Sequence, residues 1–398
     1  MEAQVCVVGG GPAGLVLGLL LARQGVEVVV LEKHADFLRD FRGDTIHSST
    51  LDLLDELGLG DEVSRLPGRK ASQLRMTFAD GAYTVADFSQ LKGAHPYIML
   101  LPQWDFLNLL AAEAAKLPNF TLLRSIEVVD VLRAADGTVT GVQAKDQAGA
   151  VVEVRASLTV ACDGRFSAVR NALHLTPVEH GAPMDVLWFR VPRGEADPAG
   201  LDMHVGAGAL MIVIDRGDYF QCAYVIPKGG FETVRAGGLD EFRAKVAQLV
   251  PPLADRVDAI ASWDDVKLLT VRVNRLKQWH GPGYLLIGDA AHAMSPVGGV
   301  GVNLAVQDAV ATARLLGPKL LDGSITTDDL ALVEKRRSFP TDVTQRVQRM
   351  IQGFVIGAVL GTDQAVHAPA PVKLLKRFPS LQAKPAKVIG YGVRPEHV

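Results

Sequence analysis

The sequence predicts an α/β fold: a dinucleotide-binding domain on a parallel sheet, interrupted by an α+β domain with a mixed or antiparallel sheet, and followed by C-terminal helices. Three observations carry this prediction. A glycine turn joins a strand to a helix at the N-terminus, two later buried strands end in Asp163-Gly164 and Gly288-Asp289, and the text between those two strands becomes rich in strand-like segments.

The first observation is a Rossmann-like fingerprint. Val5-Cys6-Val7-Val8 is a short apolar strand, Gly9-Gly10-Gly11-Pro12-Ala13-Gly14 is the turn, residues 13–24 form a helix, and 27–31 form a second strand ending at Glu32 and Lys33. Gly9 makes the tight turn, Gly11 lets a pyrophosphate approach the backbone, and Gly14 lets the helix pack closely on the strand. The helix N-terminus, at Pro12 and Ala13, favours that anion through unpaired N–H groups and the helix dipole. Glu32 follows Gly11 by about 20 residues, the distance at which an acid meets a ribose 2′-hydroxyl. An acid there repels a 2′-phosphate, so FAD or NAD suits this turn and NADP does not.

The remaining elements follow in order. A helix is expected from Ser48 to Leu57, with Ser49 or Thr50 as its cap, and a hairpin over 74–88 turns at Asp80-Gly81. Residues 103–117 have helical periodicity in Phe106, Leu109, Leu110 and Ala114. A meander over 121–158 breaks at Asp136-Gly137 and at Gln147-Ala148-Gly149, and a separate short strand over 158–162 then stops at Asp163. Residues 178–268 read as a second sheet with one helix near 239–249. A last buried strand, 284–287, leads through Gly288-Asp289 into a helix containing Ala305, Val306, Ala309 and Ala313. Gly353, Gly357 and Gly361 recur at every fourth residue, as on a helix face that permits close helix approach, whether for packing on the protein's own body, self-association or contact with a membrane surface. The tail from Thr362, with its spaced prolines, is expected to be an ordered cover or extension.

Composition excludes several classes. The 398 residues are 48% hydrophobic, which suffices for two or so domains with sizeable cores, and 41 basic against 44 acidic side chains give no field that would attract nucleic acid. The three cysteines are far apart, which fits a reducing, cytoplasmic setting. No basic and apolar leader opens the chain, and its longest apolar run, 354–361, is far short of the roughly 20 residues a membrane span needs. The histidines lack metal-ligand spacing, and no Gly-x-Ser-x-Gly elbow is present, so neither a metal centre nor a hydrolase nucleophile is expected. His292 is expected to serve as a structural hydrogen-bonding group.

The Gly9 turn, Asp163-Gly164 with Arg165 and Arg170, and the run from Gly288-Asp289 to Pro296 share one layout, a buried strand ending at a turn or an acid. Ligands of open parallel sheets bind at that edge. Together the three motifs resemble the single-component FAD-dependent aromatic hydroxylases, similar to para-hydroxybenzoate hydroxylase and the ubiquinone-biosynthesis hydroxylases, over residues 5–316. The resemblance implies that Asp289 holds a ribityl hydroxyl of FAD. It also implies that Pro296, Gly299, Val300, Gly301, Val302 and Asn303 lie near the flavin N1 and C2 carbonyl, with Val300 standing where the family often has Gln. By the same resemblance Arg42 lies beside the flavin and phosphates, Gln103 near the FAD chain, and Asp163 by both FAD and the passing nicotinamide.

The implied activity is an FAD-dependent monooxygenase that uses NADPH or NADH and O2, through a flavin C4a-hydroperoxide, to hydroxylate an aromatic and hydrophobic small molecule. The implied FAD-binding domain comprises 1–72, 98–177 and 269–340, the substrate domain comprises the hairpin 73–97 and 178–268, and 341–398 form a C-terminal helical region and tail, in a monomer or homodimer. Trp188, Met203, Met211, Val213, Cys222 and Pro296 are the candidate substrate wall, and no catalytic acid or base stands out. A halogenase of this fold would carry a Trp-x-Trp-x-Ile-Pro motif, which the scattered Trp104, Trp188, Trp263 and Trp279 do not form. A reductase or oxidase of the same fold would keep all three motifs, and a binding protein would not need the Gly288-Asp289 motif.

Overall fold

The computed structural model describes residues 1–38 and 45–398, so Arg42 lies outside the described residues. Strand β1 (Glu2–Val8) passes through the glycine turn into helix α1 (Pro12–Arg23) and strand β2 (Val28–Glu32). β1 pairs in parallel with β2 on one side and with the C-terminal half of β4 (Val151–Ala161) on the other. β3 (Phe120–Arg124) extends the sheet beyond β2, and β5 (Tyr284–Leu286) extends it beyond β4. The registers Val8↔Leu31, Val8↔Ala161 and Ala161↔Leu286 bring the strand ends into line.

Nothing separates 158–162 from the meander, contrary to the sequence expectation. β4 is one strand of 11 residues whose first half pairs antiparallel with Val139–Lys145 while its second half lies in the parallel core. The segment 120–124 is likewise not part of the meander, because it pairs with β2.

Helix α1 is buried along most of its length, packed beside the sheet and against α4 (Val300–Leu321). Small residues let these elements approach one another: a Cβ on Gly18 would lie 2.8 Å from Phe120. Helix α2 (Ser48–Glu56) begins where expected, but His47 occupies the cap position and makes no side-chain cap bond. Ser49 and Thr50 lie inside the helix, where their hydroxyls are drawn to a buried amide described below.

The second sheet has the order 267–269, 184–192, 219–227, 209–215, 201–206, 73–78, 81–87. It is antiparallel except where Leu201–Gly206 runs parallel to Gln73–Phe78. One of its faces packs on helix α3 (Leu239–Leu249) through Phe189, Met211, Cys222, Tyr224 and Phe242. The other face carries Met184, Val186, Leu210, Ala223 and Val225.

Helix α5 (Thr327–Ile351) opens with a capping box at Thr326 and Asp329 and gives way to a π-helical turn over Gln352–Ile356. Ile356 and Val359 then pack on the second sheet. The regularly spaced glycines do not make the close helix approach expected of them. Gly353 and Gly357 are exposed, a Cβ on Gly353 meets nothing within 4 Å, and on Gly357 and Gly361 it meets only carbonyls of the same segment.

A chain of buried charges ties α4, α5 and the C-terminus together. Asp308 Oδ2 lies 2.6 Å from His292 Nε2 and accepts from Gly288 N at 3.1 Å, while Oδ1 accepts from Arg337 Nε at 2.9 Å. Arg337 also reaches Glu396, which Arg314 and Arg336 flank. Burial alone would raise the Asp308 carboxyl, but the His292 and Arg337 charges hold it below the ordinary range. Removing one member strands the others without water. Replacing Arg337 with Met is expected to cost about 3–5 kcal/mol of unfolding free energy in a denaturant titration.

Candidate active site

The aligned strand ends open onto one cavity of about 990 Å3, lying between the parallel sheet and the second sheet. Its polar end is built from the three motifs. Gly9, Gly11, Pro12, Ala13, Glu32, Lys33, Gln103, Asp163 and Asp289 all line it, as do Pro296, Gly299, Val300, Gly301, Val302 and Asn303. Gly14 does not, and its role is packing: a Cβ there would lie 1.9 Å from the Gly9 carbonyl oxygen.

The glycine turn has the shape of a cradle. Gly9 adopts φ +102°, where an L side chain is strained, and a Cβ would stand 2.6 Å from the Cys162 carbonyl oxygen. Gly11 caps α1, and a Cβ on it would meet no atom within 4 Å. The space in front of Gly11 is therefore open, and the first N–H groups of α1 have no carbonyl partner within their own helix. Glu32 braces the turn, its carboxylate accepting from Gly10 N and His34 N at 3.0 Å each.

Asp163 is partly buried at the cavity wall. Its Oδ2 accepts from the N–H groups of Ala168 (2.7 Å) and Val169 (3.3 Å) at the start of the short helix Ala168–Ala172, and its Oδ1 is a buried oxygen with no hydrogen-bond partner among the described residues. Burial raises its pKa, and the Ser167 hydroxyl and the N–H donors offset this only in part. Asp289 is also partly buried, with Arg165 Nη2 at 3.4 Å from Oδ2.

Gly298 and Gly299 adopt φ of +79° and +65°, turning the chain so that α4 starts at the cavity wall. The amide of Asn303 is held from behind, its Oδ1 accepting from the hydroxyls of Ser49 (2.8 Å) and Thr50 (2.6 Å). This explains why those two residues are not caps. His292 is 1% exposed, paired with Asp308 and away from the cavity lining, consistent with a structural role.

The far end of the cavity is apolar. Trp188 and Met203 line it together with Leu210, Ile212, Ala223 and Val225, whereas Met211, Val213 and Cys222 do not. Those three are one residue out of phase. Side chains alternate along a strand, so with Leu210 and Ile212 facing the cavity, Met211 and Val213 must face the helix Leu239–Leu249. Sequence reading found the strands but could not fix which face was wet.

Two further segments supply lining residues that were not among the sequence candidates, although the tail was expected to be a cover or extension. Val343, Val347 and Ile351 of α5 line the cavity, and so do Val372, Leu375, Val388, Ile389 and Tyr391 of the C-terminal segment, which contains α6 (Ala370–Arg377) and α7 (Ala383–Gly390). The tail is thus a cover, fastened by Glu396. Behind the lining, the buried His47 ring ties Thr45 to the tail: it donates from Nδ1 to the Ile389 carbonyl at 2.7 Å, and Nε2 lies 3.3 Å from the Thr45 hydroxyl. Burial lowers its pKa to about 4, against the opposing effect of the Ile389 bond.

These residues fit FAD. The open approach at Gly11, the unpaired Asp163 Oδ1 and the helix N-terminus beyond Gly299 are where an extended dinucleotide needs room, an acceptor and donors. The comparisons agree. Residues 2–347 match the family described as FAD binding domain. The chain is 31% identical to 6-methylpretetramide 4-monooxygenase of Streptomyces rimosus over 98% of its own length and 93% of that protein's. It is 28% identical to protoasukamycin 4-monooxygenase of Streptomyces nodosus subsp. asukaensis, covering 81% of each. In structure it is similar to OxyS anhydrotetracycline hydroxylase of S. rimosus (TM-score 0.74, 24% identity, 98% of this chain and 76% of that one). It is also similar to PqsL of Pseudomonas aeruginosa in complex with 2-aminobenzoylacetate (TM-score 0.76, 22% identity, 91% and 97%).

Gly11→Ala should therefore fold normally, with an unchanged apoprotein melting temperature, yet bind FAD at least roughly tenfold more weakly, about 1.4 kcal/mol, as read by flavin fluorescence quenching. The His47 pKa also predicts a pH dependence. Because the folded ring binds its proton less readily than the unfolded one at 6.5, stability is full above about pH 6.5 and falls as pH drops to about 4. The loss is about 3 kcal/mol, and His47→Gln should remove it in denaturation curves taken across that range.

Proposed function

The chain belongs to the FAD binding domain family and is an FAD-dependent monooxygenase, and from that premise we propose that it hydroxylates a hydrophobic, phenol-bearing fused-ring compound of the pretetramide kind, with NADPH or NADH as reductant. The apolar wall around Trp188, Met203, Leu210 and Ile212 is the observation that carries this reading. A flat, uncharged ring system removes apolar surface from water there, at about 25 cal/mol per Å2, and a carboxylated ring would lose its hydration without gaining a partner among those side chains. The relatives named for 6-methylpretetramide and anhydrotetracycline support the same substrate class.

FAD, held along Gly9, Gly11, Asp289 and the start of α4, would supply the redox chemistry between the nicotinamide and dioxygen, with one oxygen atom entering the ring and the other leaving as water. The chain's own part is to bind, orient and shield. N–H groups at the start of α4 face the cavity and stabilise negative charge there, through donors that need no reorganisation. The cover formed by Val372, Leu375, Val388 and Ile389 excludes water from the reacting centre. Arg165 holds Asp289 toward the cavity.

The test is oxygen uptake by FAD-loaded protein with NADPH and then NADH, with fused-ring phenols and small carboxylated phenols, while hydrogen peroxide is titrated. Uptake stimulated by a fused-ring phenol, with little peroxide, is expected. Preference for a carboxylated phenol, or nucleotide oxidation without oxygen uptake, would refute the reading. Met203→Ala should raise the KM for such a substrate roughly tenfold, whereas Met211→Ala should leave KM unchanged and cost about 2–5 kcal/mol of stability. Equal KM effects would contradict the assigned strand faces.

A further inference from the structure

Helix α5 carries three buried glutamines, Gln345, Gln348 and Gln352, at 1%, 3% and 2% exposure. Spacings of three and four residues put them on one helix face. That face lies against the loop that precedes the glycine pair. Gln345 Nε2 donates to the carbonyls of Asn274 (2.9 Å) and Ala293 (3.2 Å). Gln348 Nε2 donates to the carbonyls of Ser295 and Val297, both at 2.9 Å, while its Oε1 accepts from Ser295 N at 3.2 Å. Gln352 Nε2 donates to Ser295 Oγ at 2.6 Å, and the same hydroxyl oxygen accepts from Val297 N at 3.2 Å.

One amide thus grips the backbone on both sides of Pro296. The residues that follow, Gly298 and Gly299, sit at positive φ and have the widest conformational choice of any residue, so they cannot hold the start of α4 in place by themselves. Their position must be imposed from outside. Gln348 lines the cavity as well, so it sits at the point where loop, helix N-terminus and ligand space meet. The π-helical turn begins at Gln352, the residue that completes the grip, and such turns are frequent at functional sites.

We propose that Gln348, supported by Gln352 through Ser295, is the positioning residue for the N–H groups of Val300, Gly301 and Val302 that stabilise the reduced flavin. This rests on FAD lying with its reducible ring against the start of α4. Gln345, on the same face but bonded upstream of the loop, holds the fold and does not tune the cofactor. The distinction is physical: donors that drift from the developing negative charge weaken binding of the reduced form more than of the oxidised form, so the flavin's reduction potential falls.

The experiment compares Gln348→Met and Gln345→Met, which remove a buried amide at nearly constant volume, with FAD itself as the probe. Apoprotein affinity for FAD, the two-electron midpoint potential of the bound flavin and the melting temperature are measured for each. Both variants should melt lower than the unaltered chain. Only Gln348→Met should also bind FAD roughly tenfold more weakly and lower the potential by about 30 mV, the value of a tenfold preferential loss for the reduced form. Equal melting losses with an unmoved potential and affinity in Gln348→Met would overturn the proposal. If Gln348→Met does not fold, Ser295→Ala, which removes the hydroxyl shared by Gln352 and Val297 N but leaves the Gln348 bonds to the backbone, should lower the potential by a smaller amount, and no shift would overturn it. Failure of the unaltered chain to bind FAD would instead overturn the cofactor assignment on which the proposal rests.

Discussion

The parallel register of β4 against its neighbours determines where chemistry can occur in this molecule. Because Val8 lies level with both Leu31 and Ala161, and Ala161 with Leu286, the three motifs emerge at one sheet edge although they are spread over some three-quarters of the chain. A slip of one residue would turn the side chains of the shifted strand to the opposite face. The sheet is held against such slippage by α1 and α4, whose close packing depends on small residues, and by the buried Asp308 that ties the Gly288 turn to α4 and α5. The site is a consequence of pairing, and its individual residues act only once that pairing exists.

The second sheet contributes by parity. Alternation along its strands gives it one face for the helix Leu239–Leu249 and one for the ligand. Oxygen chemistry needs a dry space beside a polar one, and the two sheets meet so that glycine turns and carboxylates occupy one end and aliphatic side chains the other. The C-terminal segment closes the third side. Its anchor, Glu396, belongs to the same buried charge chain that reaches Asp308, so the cover and the Gly288 turn share one electrostatic tether.

Four strands of the parallel core were legible in the sequence because each ends in a residue with a backbone reason to be there; β3, which ends in no such residue, was read into the meander. Gly9, Glu32, Asp163 and Asp289 all line the cavity. What stayed hidden depended on pairing across distance. Whether Met203 or Met211 faces the ligand is decided by register, which no local pattern fixes when both neighbours are apolar. Ser49 and Thr50 look like caps until Asn303 arrives from far along the chain. The even glycine spacing at 353, 357 and 361 suggested a close helix contact, but the flanking aliphatic residues took the buried face. The glutamines of α5 have helical spacing in the sequence, yet nothing there shows that their partner is a loop 50 or so residues earlier.

In the proposed arrangement one cavity holds both cofactor and ring, divided where the second sheet meets the start of α4. A crystal structure of the FAD-loaded protein soaked with a fused-ring phenol tests it most directly. The account predicts pyrophosphate density in front of Gly11, flavin density against Val300 and Gly301, and the phenol between that ring and the Met203 and Leu210 face. Phenol density on the Met211 and Cys222 face, or flavin density away from the start of α4, would contradict it.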